Sequence, residues 1–89
     1  MSTSYILINS DLGTDEAIIG KIKEILDGEN NIQYEIQGVY GVYDIILKLS
    51  SDDINTLRST ITNKIRKITS VQSTLTMKVT EGDKKTVLD

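Results

Sequence analysis

Asp44 is the residue whose position most strongly suggests binding chemistry, because its carboxylate interrupts a largely apolar segment, residues 43–49. A carboxylate without a partner is costly to desolvate, so some group must satisfy it. One interpretation makes Asp44 the acceptor for a bound cationic group such as an α-ammonium. The other makes it a structural hydrogen-bond or ion-pair partner of Lys48 or of neighbouring backbone. The residue pattern leaves both interpretations open.

Three polar residues, Gln72, Thr74 and Thr76, alternate near the end of the chain. Alternate residues of a strand share one face, so these side chains would together hold a small polar ligand. The competing interpretation is that Thr is simply a favoured strand residue on a half-exposed face.

Gly38 and Gly41 surround Val39 and Tyr40 between two predicted strands. Because Gly adopts backbone conformations closed to other residues, the segment is either a plain hairpin turn or a loop whose backbone approaches a ligand.

The composition argues against catalysis, because the chain contains no His and no Cys. The commonest general base, the thiol nucleophile and the usual zinc ligands are therefore absent. The Ser and Thr hydroxyls lack a His partner, and the spacing of the carboxylates is typical of helix caps and solvated faces. We expect a protein that is not an enzyme, with no catalytic residues, no metal site and no cofactor.

The charge balance argues against direct nucleic-acid binding, because ten Lys and Arg face thirteen Asp and Glu and the net charge is −3. The basic trio Lys64, Arg66 and Lys67 is best explained as cations at the end of a helix. No apolar run approaches the roughly 20 residues of a membrane span, and no basic stretch precedes an apolar one at the N-terminus. We expect no membrane partner and a cytoplasmic location.

The hydrophobic periodicity predicts strands at residues 4–9, 32–38, 41–49 and 71–79 and helices at residues 15–26 and 54–68. Thr14 is the expected N-cap of the first helix, and Gly28 ends it. Isoleucines and leucines spaced three and four apart give each helix one apolar side. Two strands alternate apolar with polar residues, whereas the other two are almost continuously apolar.

This order, βαββαβ, predicts an α+β, ferredoxin-like fold, in which a four-stranded antiparallel sheet carries two helices on one face. The continuously apolar first and third strands belong in the centre of the sheet, and the alternating strands at its edges. Residues 1–80 then form a single domain, and residues 81–89 form a C-terminal tail.

The sheet face without helices is predicted to combine apolar and polar residues. On it we expect one alternate set of the first strand together with Asp44, Ile46, Lys48, Gln72, Thr74 and Thr76. This mixture is too apolar for full exposure and too polar for a core. It therefore predicts that a second copy of the chain packs there.

Two sequence elements resemble the C-terminal effector domain of the Lrp/AsnC transcription regulators, the RAM domain. Residues 40–49, YGVYDIILKL, contain a Gly-x-Tyr-Asp element, and residues 71–76, VQSTLT, contain a Val-x-x-Thr-x-Thr element. The two elements have the separation usual in the family. The resemblance covers residues 3–80.

The resemblance implies a homodimer whose sheets pack face to face, rings of such dimers, and an amino acid bound between dimers. In the family, the loop before the third strand, its Asp and the Thr-bearing last strand contribute to the amino-acid site. We extend the implied site to three neighbours of these residues. The full set is Val39, Tyr40, Gly41, Val42, Asp44, Gln72, Thr74 and Thr76.

The regulators of this family carry an N-terminal helix-turn-helix domain, whereas this chain begins at the first strand of the effector domain. The resemblance therefore predicts a stand-alone RAM protein that binds an amino-acid effector and acts in transcriptional regulation through assembly, including assembly with full-length Lrp/AsnC relatives. Two alternatives stay open at this stage. The first is a small ferredoxin-like dimeric enzyme, and the second is an assembly partner that binds no ligand.

Overall fold

The protein is described by a computed structural model that covers residues 2–79. Its elements follow the predicted order, which confirms the ferredoxin-like α+β fold. They are β1 (Ser2–Ser10), α1 (Asp15–Asp27), β2 (Ile32–Gly38), β3 (Ile45–Ser51), α2 (Ile54–Thr60), a π-helical turn (Ile61–Ile65) and β4 (Val71–Lys78). The predicted tail, residues 81–89, lies outside the described residues.

The four strands form one antiparallel sheet in the order β2-β3-β1-β4. The two most apolar strands are therefore the central pair, as predicted. Alternate residues of β1 and β3 face the helices and are fully buried, among them Ile6, Ile8, Leu47 and Leu49. They pack with the apolar sides of both helices in one core. Burial of this core is the main stabilising contribution to the fold.

The ends of α1 differ in part from the prediction. Thr14 lies at the N-cap position, but its hydroxyl does not cap the helix and instead donates to the carbonyl oxygen of Asp11 at 2.7 Å. Gly28 follows the last helical residue, as predicted. Near this end the Tyr34 hydroxyl donates to Asp27 Oδ1 at 2.8 Å, and this hydrogen bond raises the pKa of Tyr34.

The third strand begins at Ile45, four residues later than the predicted Gly41. Residues 40–43 form a loop instead, and the hydrogen bond from the Val39 N–H to the Asp44 carbonyl oxygen, 2.8 Å, closes it. The Asp44 N–H donates to the Ile8 carbonyl oxygen at 2.9 Å, so the chain rejoins the sheet just before β3. Sequence apolarity did not reveal this loop, because Val42 and Tyr43 are as strand-like as the residues that follow.

The edge strand β4 contains a β-bulge opposite the end of β1. Asn9 is the register partner of Ser73, whereas the next residue, Ser10, is the partner of Val71, so Gln72 is an extra residue. An extra residue reverses which face each later side chain occupies. Val71 therefore packs against the core under the helices, while Ser73 faces the opposite side.

The bulge overturns one expectation. Thr74 and Thr76 are the register partners of the buried Ile8 and Ile6, so both threonines face the helices and not the helix-free face. Leu75 and Met77 occupy the helix-free face in their place. The sequence-based assignment of Thr74 and Thr76 to that face was wrong, because period-two reasoning assumes an unbroken pleat.

The predicted second helix is interrupted. After α2 ends at Thr60, the Arg66 N–H bonds to the carbonyl oxygen five residues earlier, that of Ile61, at 3.1 Å. This spacing is that of a π-helical turn. The apolar stripe is preserved, because Leu57, Ile61 and Ile65 are all buried. Neither helix within residues 2–79 is long and apolar enough to cross a membrane.

Asp53 caps α2 and gives a testable pH dependence. Its carboxylate accepts hydrogen bonds from the Asn55 and Thr56 N–H groups, at 2.9 and 3.3 Å, and from the Thr56 hydroxyl at 2.9 Å. These bonds, first among them the one from the Thr56 hydroxyl, lower the pKa of Asp53. A lowered pKa means that the carboxylate stabilises the fold at neutral pH, and that this contribution is lost as pH falls through the folded-state pKa.

We therefore expect Asp53→Ala to melt at a lower temperature than the wild type at pH 7, and the gap to shrink at pH 2. Asp53→Asn serves as a control, because it retains one capping oxygen without the titrating charge. If the melting temperatures of the wild type and Asp53→Ala differed by the same amount at both pH values, this account of the cap would be wrong.

Candidate functional site

The loop between β2 and β3 projects from one end of the sheet. Tyr40 and Val42 are exposed to 105% and 83% of their reference areas, so the loop presents an aromatic ring and an apolar group to solvent. Gly41 between them has φ +145°, a conformation that side-chain-bearing residues rarely adopt. The loop backbone at Gly41 is thus specified by the glycine and is open on its outer side.

Asp44 anchors this loop to the neighbouring strand. Its Oδ2 accepts hydrogen bonds from the backbone N–H of Ser10 at 2.9 Å and from the Ser10 hydroxyl at 3.3 Å. Lys48 is not its partner, since no ion pair within 4.0 Å joins the two side chains; the Lys48 ammonium lies 6.0 Å from the centroid of the Tyr5 ring instead. The structural partner that one interpretation required for Asp44 is thus the backbone of Ser10 on the neighbouring strand. Within residues 2–79 the second oxygen, Oδ1, accepts no hydrogen bond and retains its full capacity.

Gln72 is held in the same end of the sheet. Its amide Nε2 donates to Asp11 Oδ1 at 2.8 Å, and the Asp11 N–H donates to the Ser70 carbonyl oxygen at 2.9 Å. These bonds connect the bulge of β4 to the chain that leaves β1. The Gln72 side chain therefore has a structural partner, and its carbonyl oxygen and second amide N–H are left for other contacts.

The predicted site residues fall into two groups. Val39, Asp44 and the loop lie at the end of the sheet on one side of β1, and Gln72 lies at that end on the other side. Thr74 follows on the helix side of β4, and Thr76 lies two residues further along. Thr76 lines a groove beside α2 that contains no residue of 39–44. Within one chain, Thr76 and the loop are thus parts of different surfaces.

Comparison with known proteins decides the family. The chain is 32% identical to FFRP-DM1, with a TM-score of 0.73, over 90% of this chain and 100% of that protein. It is 33% identical to the hypothetical protein PHS023 of Pyrococcus horikoshii, with a TM-score of 0.71, over 92% of this chain and 93% of that one. The chain belongs to the Lrp/AsnC family. This identification confirms the resemblance to the RAM domain.

The Lrp/AsnC regulators themselves are longer. Escherichia coli AsnC is 24% identical with a TM-score of 0.70, and this RAM-type chain covers 56% of its length. The neighbours described as AsnC or AsnC-family proteins and transcriptional regulators therefore share their fold with this chain over about half of their own residues. No protein-family model and no curated protein matches the sequence.

The helix-free face of this RAM domain carries two rows of side chains that cross the sheet. The strand register places Leu7 between Ile46 and Leu75 in one row, and Tyr5 between Lys48 and Met77 in the next. Leu75 and Met77 are 45% and 46% exposed, which is high for large apolar residues on a sheet. Ile46 and Lys48 were expected on this face. Leu75 and Met77 were missed, because no sequence signal marks the bulge that places them there.

Proposed function

We propose that this RAM domain is an amino-acid-binding regulatory module that acts in amino-acid-responsive transcription by assembling with other chains. The observation that carries the proposal is the Asp44 carboxylate, anchored through Oδ2 and open at Oδ1, beside an exposed loop. Supporting it, one structural neighbour is the transcriptional regulator NMB0573 of Neisseria meningitidis in complex with L-Met. That regulator has a TM-score of 0.66 and 12% identity over 90% of this chain and 50% of its own length.

In the proposed site, Asp44 Oδ1 accepts a charge-assisted hydrogen bond from the α-ammonium of the amino acid. Backbone N–H groups of the loop and threonine hydroxyls donate to its carboxylate, a division of roles that suits a zwitterion. The proposed binding residues are Val39, Tyr40, Gly41, Val42, Asp44, Gln72, Thr74 and Thr76.

Because Thr76 lies on a different surface from the loop, the site takes the loop from one copy and the threonine-bearing edge of β4 from another. The exposed Tyr40 and Val42 support this arrangement, since such groups are favourable at an interface between chains. We propose that dimers assemble into a ring in which every loop meets a neighbour.

The dimer itself is proposed to form through the helix-free face. Its central row, Ile46, Leu7 and Leu75, is apolar across three adjacent strands. A face of this kind is self-complementary across a two-fold axis, which brings the same row of each copy together. Full-length Lrp/AsnC relatives would dock by the same face, so that the amino-acid signal is passed on through mixed assemblies in the cytoplasm. We propose that this chain makes no direct contact with nucleic acid or membrane.

A thermal-shift screen of the twenty amino acids tests the function. A ligand present at 100 times its dissociation constant adds about 2.7 kcal/mol to the free energy of unfolding, so an effector raises the melting temperature clearly. We expect one or a few amino acids to do so, and their α-deaminated analogues to be without effect because Asp44 then has no ammonium to bind. A screen in which every amino acid leaves the transition unchanged would indicate an assembly partner without a ligand, and would contradict the proposal.

A further inference from the structure

A groove of about 210 Å³ separates α2 and the π-helical turn from the edge strand β4. Three cationic side chains converge on it from separate segments: Arg58 from α2, Arg66 from just after the π-helical turn, and Lys78 from the end of β4. The buried Leu57, Ile61 and Ser4 contribute its floor. The groove therefore joins positive charge to an apolar surface.

Among residues 2–79, the three cations of this groove have no acidic partner. Two other cations of the chain form ion pairs with carboxylates. Lys64 pairs with Glu29, and Lys21 Nζ lies 3.2 Å from Glu24 Oε1. Within residues 2–79, no carboxylate lies within 4.0 Å of Arg58, Arg66 or Lys78, and no Asp or Glu lines the groove. Like charges on one small surface repel each other. The chain as a whole has a net charge of −3, so the positive charge of this groove is opposite in sign to that of the whole chain.

The π-helical turn contributes to the convergence. Arg58, Thr62 and Arg66 are four residues apart, and all three line the groove. Along a regular α-helix this spacing drifts steadily around the axis, because a turn has only 3.6 residues. The wider turn at Ile61–Ile65 opposes this drift, so Arg66 returns towards the same side as Arg58. Turns of this type occur frequently at functional sites.

From these observations we infer a second binding site, in the groove between α2 and β4, for a small dianion with a short apolar segment, of the dicarboxylate class. Two guanidinium groups provide planar forks that match carboxylate oxygens, and Lys78 supplies a third positive charge. Thr62 and Thr76 add hydroxyl donors, and the apolar floor receives the carbon chain. The volume, about 210 Å³, is below that of typical sites for drug-sized ligands, which favours a ligand of a few carbon atoms.

The experiment is a calorimetric titration of the full chain with glutarate at low ionic strength. Butyrate serves as the matched monoanion, and inorganic phosphate as the dianion without a carbon chain. We expect Arg58→Gln and Arg66→Gln each to weaken glutarate binding at least tenfold, in line with a lost charge-assisted hydrogen bond. Arg58→Lys should also weaken it, because it keeps the charge and loses the fork.

Lys23→Gln is the control, because it removes the same charge from an exposed position of α1 that does not line the groove. It should change the glutarate affinity less than about twofold, as expected of an isolated surface charge. Equal losses in the groove variants and in the control would overturn the proposal, as would equal affinity for glutarate and butyrate, tighter binding of phosphate than of glutarate, or no binding of glutarate at all.

This inference is separable from the amino-acid site. The groove shares Thr76 with the residues proposed for that site but contains neither Asp44 nor the loop. Asp44→Asn should therefore leave glutarate binding unchanged, and Arg58→Gln should leave the amino-acid thermal shift unchanged. If the amino-acid screen fails, the glutarate titration is still a valid test, and the converse also holds.

Discussion

Replacing Leu7 by Lys is expected to convert the protein into a 9.9 kDa monomer at micromolar concentration. Leu7 lies at the middle of the helix-free face, with Ile46 and Leu75 as its register partners. Burial of one such side chain is worth about 1.5–3 kcal/mol, and a two-fold axis counts each substitution twice. The dissociation constant should therefore rise by roughly 10² to 10⁴, before the cost of burying the ammonium group is added.

Leu12→Lys provides a matched control for this experiment, because Leu12 is 102% exposed and lies in the loop after β1, outside the two rows. Light scattering should show the Leu12 variant at twice the monomer mass or above, and the Leu7 variant at the monomer mass. A wild-type protein that is itself monomeric, or two variants that dissociate equally, would rule out the helix-free face as the dimer interface.

Two substitutions at Asp44 are expected to separate its structural role from its proposed binding role. Asp44→Ala removes the acceptor of the half-buried Ser10 N–H, which costs about 1–3 kcal/mol of stability. The melting temperature of a domain of this size falls by roughly 4–8 °C for each kcal/mol. Asp44→Asn keeps a carbonyl oxygen for Ser10, so its melting temperature should stay close to that of the wild type.

The Asn variant should nevertheless bind the amino acid about 10- to 150-fold more weakly, because a charge-assisted hydrogen bond to the ammonium is worth roughly 1.5–3 kcal/mol. Differential scanning calorimetry and titration with the amino acid found in the screen measure the two effects separately. If Asp44→Asn retains full affinity, Asp44 only anchors the loop and the proposed ammonium contact is wrong.

The fold was predictable from the sequence because its strongest signals are hydrophobic. Continuous apolar residues marked β1 and β3 as central strands, and alternation marked β2 and β4 as edges. These patterns follow from which faces of a sheet are buried, so they survive local irregularity. The apolar stripe of α2 was found for the same reason, even though its last part is a π-helical turn.

What the sequence did not reveal are single-residue irregularities of the backbone. The bulge at Gln72 leaves the residue types of β4 unchanged and alters only which face of the sheet each later residue occupies. Residue types alone therefore cannot indicate it. The loop at residues 40–43 is likewise built from strand-forming types. Both places are hydrogen-bonded to segments distant in sequence, the bulge through Gln72 to Asp11 and the loop through Asp44 to Ser10.

The candidate site shows the same division. The Gly-x-Tyr-Asp element singled out Asp44 because a motif is a local property of the chain, but residues 41–43 of this element were predicted as strand and form part of a loop instead. The partner of Asp44 was foreseen only as neighbouring backbone, since Ser10 is 34 residues away in sequence. The cationic groove was missed entirely, because Arg58, Arg66 and Lys78 meet only after α2 and β4 pack side by side.

The bulge at Gln72 also determines which residues of β4 lie on each face of the sheet. Because the bulge sets which face each later residue occupies, Leu75 and Met77 lie on the face proposed for self-association, while Thr76 and Lys78 line the groove proposed for ligand binding. A deletion of one residue at this point would exchange the two faces and place hydroxyls on the proposed dimer face. Substitutions along β4 can therefore tune each surface separately, but a change in its length alters both at once.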